Sequence, residues 1–494
     1  MTTEIEPEGG AGETRGTQAG LNWRAWILIL AVTGTVCCFK LGSARSLTEH
    51  EIYVAAGAKQ MAQDHDWLLP KVGDHLWLEK PPLLHWLTIA TATLSGGFSE
   101  SAVRLPSVLA GVGVVIIVSL LTFRWFGRRV AVFAALLQTT MVYFVTYARL
   151  AEAEMLLAFI VVLALFVFVR LHSIGQKDPE PQPRLALPFW LLVGVSNMAK
   201  GLGFGPALIL SPCVTFLLLK RDPAAWRRTI SWPGIALGMA IAVAWPLTVA
   251  LNVPEAREIW RQEIERRATG GPGYYQPWWY YLATVPWQLL PWTLTLLIAA
   301  PASLGQARRQ PASADRFIWC WGIVPIVLLS MFSGKHHHYI ISCLCAFTPL
   351  SAMGLLRFGT RFAAGTVAVV VAGILVVHAS ILPKHDRSRD DRDFLRSVRS
   401  LVPPGAPLAA TGGREIARHI FYVDPPPDGI WNPNDLSKRF NRTPFYLIAR
   451  GREQSQLEKL GKVEKIAESR HSRNEKTPAD RFGLFKIAPV QISP

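Results

Sequence analysis

Long apolar runs separated by short polar loops fill the first three quarters of this chain. Several of the runs reach or approach the roughly 18 residues that a helix needs to cross a bilayer. They predict a polytopic, all-α membrane protein. The apolar segments are residues 26–39, 81–98, 105–123, 130–148, 155–169, 185–199, 202–219, 230–253, 280–300, 317–334, 339–356 and 362–383.

The second apolar segment, residues 81–98, is predicted to lie along the membrane surface. It begins with Pro81 and Pro82, contains His85, and is rich in Thr, Ser and Gly. If this segment alone does not cross, the most basic short loops share one side, which the positive-inside rule makes cytoplasmic; this predicts about eleven transmembrane helices. The basic loops are residues 124–129, 170–184, 220–228, 307–316 and 357–361.

The opposite, external face receives most of the acidic, Lys and His residues that lie near an apolar segment. A helical bundle that only needed solubility would not segregate its groups in this way. We therefore expect a reaction or binding surface where this face meets the membrane boundary. Its segments are residues 42–102, 149–154, 199–201, 252–279 and 334–338.

Both ends of the chain differ from the membrane part, residues 23–384. Residues 1–22 are rich in Gly, Glu and Thr and are predicted to be a disordered cytoplasmic tail. Residues 385–494 begin with a charged helical pattern, followed by short strand-like runs between Pro-rich turns. This predicts a small, soluble, external α/β domain at the C-terminus. Amphipathic juxtamembrane helices are expected in the first external loop, residues 42–102.

Composition supports the membrane assignment and excludes other classes. Half of the residues are hydrophobic and only 17% are charged, although the formal net charge is +16. Topology-setting Lys and Arg account for that charge, so no nucleic acid partner is expected. The six cysteines all lie in apolar runs, which indicates packing residues and not a disulfide framework.

Two lysines stand at predicted membrane boundaries. Lys80 follows Glu79 and precedes Pro81 and Pro82, whose fixed φ angles stiffen the chain. Lys200 ends another apolar segment, next to Gly201. Either lysine alone is typical of an anchor whose ammonium reaches the interface. The functional alternative is a cation held at the depth of an anionic lipid phosphate.

Three further groups on the external face carry charge. Glu152 and Glu154 are two residues apart in one turn, and Glu263 and Arg267 are one helical turn apart. Residues 336–338 are three consecutive histidines. Adjacent histidines cannot all face one ion from a regular helix, and no metal-binding spacing accompanies them, so we expect no metal and no cofactor.

The order of short motifs along the chain resembles that of the ArnT-like aminoarabinose transferases. These are GT-C glycosyltransferases related to the protein O-mannosyltransferases. The matching blocks are "HEIYVAAGAKQM", "HDWLLP", "LEKPPLLHW" and "VRLPS", followed by "ARLAEAEM", "MAKG", "EIERR" and "SGKHHHYIISCLC". The resemblance covers roughly residues 46–356.

The resemblance implies a GT-C fold and transfer of a sugar from a polyprenyl-phosphate donor. The acceptor would be a lipid, a glycan or a protein, on the periplasmic face of the inner membrane. It places the lipid phosphate near Lys80 and Lys200, with Arg267 as a further cation. The remaining residues that it implies for the donor site are Glu79, Arg149, Glu263 and His338.

The acidic motif departs from the family pattern. Counting back from Met61 places Glu51 on the family's Glu and His50 on its catalytic Asp, whereas a shift of one residue places Glu49 there. Glu154 stands where the family has an Asp in the short external loop that corresponds to residues 149–154. The catalytic candidates are therefore Glu49, His50, Glu51 and Glu154, and His50 could act as a base near neutral pH.

Two other functions are compatible with part of this pattern. Within the same fold, the acceptor could be a protein hydroxyl, as in O-mannosylation. From a different class, a lipid or solute transporter would also present boundary charges, but it predicts ionisable residues deep within its spans. The main strongly polar residues inside the predicted crossing segments are Gln138, Asn197 and His378. This pattern favours the transferase.

Overall fold

The computed structural model describes most of the chain after residue 19. Nearly all of the predicted tail, residues 1–22, lies outside this part. The described residues are 20–176, 180–201, 203–270, 275–387, 390–440, 444–471 and 477–489.

Helices make up most of the chain as far as residue 387. In chain order they are α1 (Trp23–Cys38), α2 (Glu49–Asp64), α3 (Leu83–Leu94), α4 (Glu100–Thr140), α5 (Val142–Ala148), α6 (Ala153–His172), α7 (Ala186–Lys200), α8 (Phe204–Lys220), α9 (Pro223–Thr229), α10 (Trp232–Asn252), α11 (Ala256–Thr269), α12 (Tyr280–Gln288), α13 (Thr293–Arg309), α14 (Ala314–Ser330), α15 (Ile341–Leu344), α16 (Thr348–Leu356), α17 (Thr360–Val376) and α18 (Leu382–Arg387).

The chain is a multi-pass membrane protein. Within the described ranges, five helical runs are long and apolar enough to cross, and the bent pair α12–α13, with an angle of 112°, would make a sixth. Several other segments predicted to cross form helices of 15 to 17 residues, such as α7 and α8. The five runs are Glu100–Thr140, Ala153–His172, Trp232–Asn252, His337–Leu356 and Thr360–Asp386.

Two local features agree with the predicted topology. The 41-residue run α4 is broken at Gly127, where φ is 80° and ψ is 177°, so it divides at the basic turn between two predicted crossing segments. Helix α3 has 12 residues, which at about 1.5 Å per residue is too short for the hydrocarbon core of a bilayer. It packs instead against α2 and α4.

The C-terminal part contains a five-stranded sheet with the spatial order β4–β3–β5–β7–β6. Strand β3 is parallel to β4 and β5, while β7 is antiparallel to β5 and β6. A two-stranded antiparallel ribbon, β1 (Lys71–Val72) and β2 (His75–Leu76), lies in the first external loop. The other elements are β3 (Leu408–Ala410), β4 (Asp428–Gly429), β5 (Phe445–Arg450), β6 (Gly461–Glu468), β7 (Phe482–Pro489), α19 (Arg392–Leu401), α20 (Ile416–Tyr422), α21 (Leu436–Arg439) and α22 (Gln454–Leu457).

The sheet domain shares a hydrophobic core with the first external loop. Ile52 and Tyr53 of α2 pack in one buried cluster with Ile416 and Ile420 of α20. Arg418 forms a buried ion pair with Asp391 and donates to the Leu47 carbonyl, 3.3 Å away. The loop and the domain therefore form one packed unit, and this unit positions the start of α2.

Candidate active site

Glu154 lies at the centre of a cluster of cationic and aromatic side chains. Its Oε1 atom is 3.0 Å from Lys200 Nζ, 3.5 Å from His338 Nε2 and 3.9 Å from Lys80 Nζ. These residues are distant in sequence and come from the first turn of α6, the end of α7, the histidine loop and the first external loop. The structure thus brings together four of the predicted site residues.

The turn after α7 explains why Lys200 points into the site. Gly201 has φ of 72°, a left-handed conformation that favours glycine, and a Cβ there would lie 3.1 Å from Pro81 Cδ. The glycine lets the end of α7 approach the rigid Pro81 segment closely. The Lys200 ammonium then lies 4.2 Å from the ring centroid of Tyr339 and 4.8 Å from that of Phe204, which are cation–π contacts.

The two lysines differ in access to solvent. The Lys200 and Glu154 side chains are each 2% exposed, whereas the Lys80 side chain is 24% exposed. Lys80 therefore forms the open end of the cluster, at the point where the chain enters α3. A ligand that reaches the cluster from the membrane boundary meets Lys80 first.

The cluster holds more positive than negative charge. Two ammonium groups face a single carboxylate, that of Glu154. Burial and the nearby Glu154 charge raise the pKa of the Glu152 carboxyl, which favours its neutral form. An unbalanced buried cation is costly, and an anion placed beside it offsets that cost.

One oxygen of Glu154 has no hydrogen-bond partner among the described residues. This oxygen, Oε2, is buried. Buried polar atoms normally have a partner, so such an atom is a candidate for contact with substrate. It lies on the carboxylate whose other oxygen faces both lysines.

The three histidines of the loop do not converge on one point. His337 Nδ1 is 2.6 Å from the Tyr143 hydroxyl, and His338 Nδ1 is 3.4 Å from the Tyr147 hydroxyl. Across the described ranges, no group of three His, Cys, Asp or Glu side chains is arranged to hold a metal ion. Of the three histidines, His338 reaches the Glu154 carboxylate.

The second external loop places Arg267 near this cluster. Arg267 Nε donates to Glu263 Oε1 over 2.8 Å, and the Arg267 carbonyl accepts from Gly334 N over 2.9 Å. Burial, aided by the charges of Lys200 and Arg267, lowers the pKa of His336 to about 4. Arg267 is thus held against the histidine loop by its backbone and by its ion pair with Glu263.

Glu51 is buried in the protein and not available to a substrate. Its Oε1 accepts from Arg104 Nε over 2.7 Å and from Ala151 N over 3.0 Å. Its Oε2 accepts from Arg104 Nη2 over 3.1 Å and from Thr48 N over 2.9 Å, the latter bond being part of a capping box. This geometry does not support a catalytic Glu51; the residue joins the start of α2 to two other segments.

Glu49 and His50, in contrast, are exposed in the first turn of α2. Glu49 lines a cleft against the C-terminal domain. The His50 charge is among the smaller influences that lower the pKa of His336. Of the three predicted acid–base candidates on α2, only these two are accessible.

Arg149 and Glu79 make no contact with Glu154 in the described structure. Arg149 donates to the carbonyls of Val36, Cys37 and Phe39 over 2.7 to 2.8 Å, so its guanidinium closes the end of α1. Those bonds account for the burial of its guanidinium. Glu79 is half-buried directly before Lys80.

Sequence reasoning assigned no role to Arg104 or Tyr339. Arg104 belongs to the "VRLPS" block, but its partner Glu51 is 53 residues away, and nothing local in the sequence marks that pair. Tyr339 directly follows the histidines, so its position next to the site could be predicted from the sequence. Its ring contact with Lys200 could not, because the two residues are distant in sequence.

Comparison with known proteins identifies relatives of this chain. The family model described as "Dolichyl-phosphate-mannose-protein mannosyltransferase" matches residues 79–248, a stretch that contains Lys80, Glu154 and Lys200. An undecaprenyl phosphate-alpha-4-amino-4-deoxy-L-arabinose arabinosyl transferase of Pseudomonas paraeruginosa is 27% identical over 345 residues, which are 68% of this chain and 60% of that protein. The protein of the same name from Pectobacterium carotovorum is 27% identical over 60% of this chain and 52% of its own length. The chain thus spans little more than half the length of these relatives.

Solved structures establish the fold. ArnT from Cupriavidus metallidurans bound to undecaprenyl phosphate superposes with a TM-score of 0.79 at 19% identity, covering 96% of this chain and 100% of that one. The apo oligosaccharyltransferase of Archaeoglobus fulgidus superposes with a TM-score of 0.57 at 13% identity, covering 87% and 70%. The resemblance predicted from the motifs is confirmed, and the chain has the fold of the ArnT-like GT-C transferases.

Proposed function

We propose that this chain, a relative of the ArnT-like transferases in sequence and fold, is a glycosyltransferase that uses a polyprenyl-phosphate sugar donor. The sugar would pass to a lipid, glycan or protein acceptor on the periplasmic face of the inner membrane. The names of its relatives support this proposal, because they describe transfer from an undecaprenyl-phosphate sugar.

The observation that carries the proposal is the unbalanced positive charge around Glu154. Lys80 and Lys200 both face one carboxylate, and Lys80 is the accessible member. A phosphodiester carries one negative charge and would neutralise the second ammonium. Because Lys80 lies at the entry of α3, a membrane-boundary helix, the phosphate would arrive at headgroup depth while the lipid chain stays in the bilayer.

The chemistry follows from this placement. Transfer breaks the bond between the anomeric carbon of the sugar and a phosphate oxygen, and polyprenyl phosphate leaves with the electron pair. The leaving group gains negative charge, which the two lysines stabilise. The anomeric carbon forms its new bond to an oxygen of the acceptor.

A hydroxyl acceptor must also lose its proton, whereas an acceptor phosphate needs only orientation. Glu154 Oε2 is the proposed base, because it has no hydrogen-bond partner among the described residues and lies beside the two lysines that would hold the donor phosphate. His50 on the exposed turn of α2 is the alternative base. The proposal includes no cofactor and no metal, because the activated sugar arrives already linked to the lipid.

The membrane arrangement belongs to the proposal. It comprises about eleven transmembrane helices, a cytoplasmic N-terminus, and a periplasmic C-terminal domain from residue 385, in accordance with the basic loops. A reporter fused after residue 384 tests the sidedness. Periplasmic reporter activity is expected, and cytoplasmic activity there would contradict the arrangement.

A protein acceptor is the second candidate. The matching family model describes a mannosyltransferase that acts on protein, and its match covers both lysines and Glu154. Donor chemistry is the same in both cases, so these residues alone do not separate the two acceptors. Analysis of products from the intact cell separates them.

Mass spectrometry of envelope lipids and glycoproteins, with and without the gene, tests the proposal. We expect one sugar-bearing lipid, glycan or protein to disappear on deletion and to return with the intact gene. A gene carrying Lys80→Ala should fail to restore it. No lost product, or full restoration by Lys80→Ala, would overturn the proposed function.

A further inference from the structure

A cleft of about 480 Å³ lies between the start of α2 and the C-terminal sheet domain. Its floor is formed where β3 and β5 end, at Gly412, Gly413 and Arg452. Its opposite wall is formed by Glu49 and Tyr53 of α2. None of these residues belongs to the cluster around Glu154.

The position in the sheet is one that favours ligand binding. Strands β3 and β5 are parallel neighbours, and their carboxyl ends open on the same edge. Crevices at that edge of a parallel sheet are frequent ligand sites, because the connecting segments leave the edge open. Gly413 has φ of 56°, and a Cβ there would meet nothing within 4 Å, so the backbone borders open space.

The cleft presents both a cation and carboxylates. Arg414 is exposed, and its guanidinium forms no ion pair with any residue in the described ranges, although its carbonyl accepts from the Tyr53 hydroxyl over 3.2 Å. Glu453 lines the same cleft, as does Trp431. Guanidinium groups bind phosphate in two-pronged fashion, while carboxylates accept from sugar hydroxyls.

One aromatic stack joins the wall of the cleft to the loop that carries Lys80. Tyr53 lines the cleft, and its ring stacks on Trp77 with centroids 4.2 Å apart and planes 4° apart. Trp77 is three residues before Lys80 in the same loop. The Tyr53–Trp77 pair therefore connects α2 at the cleft to the loop that carries the donor lysine.

We propose that this cleft binds a phosphate-bearing saccharide, which is the sugar portion of the acceptor. The role of this ligand as acceptor rests on the proposed function, whereas its binding in the cleft does not. Arg414 holds the phosphate, and Glu453 and Glu49 bind hydroxyls of the sugar rings. The C-terminal domain thereby presents the acceptor to the donor site across the Tyr53–Trp77 pair.

Ligand-observed NMR titration of the full chain in nanodiscs tests the cleft. The probes are glucose 6-phosphate, glucose and inorganic phosphate, and every sample carries Lys80→Ala so that the donor site contributes little. We expect glucose 6-phosphate to bind more tightly than either fragment. Arg414→Ala should weaken its binding roughly tenfold, as loss of a charge-assisted hydrogen bond predicts.

Lys459→Ala is the matched control, because Lys459 is an exposed cation of the same domain outside the cleft. It should leave the affinity unchanged, and Arg414→Lys should retain part of it. Equal binding of inorganic phosphate, or equal losses with Arg414→Ala and Lys459→Ala, would overturn the inference. Separate titration of undecaprenyl phosphate into the chain with native Lys80 reports on the donor site, so failure of the cleft and failure of the proposed function are distinguished.

Discussion

Lys200 and Glu154 form a 3.0 Å ion pair in which each side chain is only 2% exposed. Burial of such a pair is costly, and hydrophobic residues of similar volume often stabilise a protein as well or better. The presence of a second ammonium, that of Lys80, at 3.9 Å from the same carboxylate oxygen increases the imbalance. Stability alone does not explain this arrangement, whereas binding of an anion does.

Breaking this pair on one side should destabilise the protein. Lys200→Met leaves the Glu154 carboxylate with His338 at 3.5 Å and with the more distant ammonium of Lys80 at 3.9 Å, and we expect a loss of about 3–5 kcal/mol in the free energy of unfolding. The double variant Lys200→Met/Glu154→Leu should recover much of that loss while lacking donor binding. Thermal unfolding in detergent, with undecaprenyl phosphate titrated separately, measures both quantities. If the double variant were less stable than Lys200→Met, the pair would be needed for the fold itself.

Glu51→Gln should act on stability and on its pH dependence. Burial raises the pKa of Glu51, but the Arg104 charge and hydrogen bond outweigh it and lower the value to about 2. The stabilisation from Glu51 is therefore present above its ordinary pKa and is lost as the pH falls towards 2. We expect Glu51→Gln to cost about 3–5 kcal/mol at pH 7 and progressively less below pH ~4.5.

Unfolding of Glu51→Gln is compared with that of Glu49→Gln, an exposed residue of the same helical turn. Glu49→Gln should change stability little over the whole pH range. A Glu51→Gln protein of normal stability and reduced transfer would instead restore the catalytic role predicted from the motif alignment.

Glu152 should give the protein's stability a pH dependence opposite in sign to that of Glu51, and Glu152→Gln should remove it. Burial and the Glu154 charge raise the pKa of Glu152 to about 8, so the folded protein holds a proton that the unfolded chain releases near pH 4.5. Stability from this group is complete below that pH and is lost as the pH rises through 8. The thermal stability of the wild type should therefore decrease from pH 5 to pH 9, and Glu152→Gln should make this decrease smaller. Glu265→Gln on exposed α11 is the control, and a decline that persists unchanged in Glu152→Gln would contradict the assignment.

Gly334→Ala should disturb the contact between the second external loop and the histidines. A Cβ at Gly334 would lie 2.6 Å from the Arg267 carbonyl oxygen, which is closer than atoms can approach. The loop must shift, so we expect weaker undecaprenyl-phosphate binding if Arg267 contributes to the phosphate site. Gly305→Ala, where a Cβ meets nothing within 4 Å, is the matched control. Unchanged binding in Gly334→Ala would remove Arg267 from the donor site.

Periodicity and charge predicted much of the fold. The surface position of residues 81–98 was deduced from the side on which basic loops must lie, and the structure has a 12-residue helix there that is too short to cross. The break at Gly127 lies within a basic turn that was also predicted. The C-terminal sheet was expected from strand-like runs, but its order and its shared core with α2 depend on long-range contacts that no local pattern records.

The site was predicted only in part, because it too depends on contacts between residues that are distant in sequence. Lys80, Lys200 and Glu154 each stand at the end of an apolar segment, and a common external face brings such residues into proximity. Glu51 was selected by its spacing from Met61, a criterion that carries no information on burial. Its partner Arg104 is far away in sequence, so only the folded chain distinguishes a structural carboxylate from a catalytic one.

Binding of undecaprenyl phosphate to the purified chain tests the central claim most directly. Native mass spectrometry in nanodiscs would compare wild type, Lys80→Ala and Lys71→Ala. Lys71 is the control because it lies in the same loop as Lys80 and forms an ion pair with Asp66. We predict that wild type and Lys71→Ala bind the lipid equally and that Lys80→Ala binds it at least about tenfold more weakly. Equal binding by Lys80→Ala, or no binding by wild type, would contradict a lipid-phosphate site at Lys80, Glu154 and Lys200.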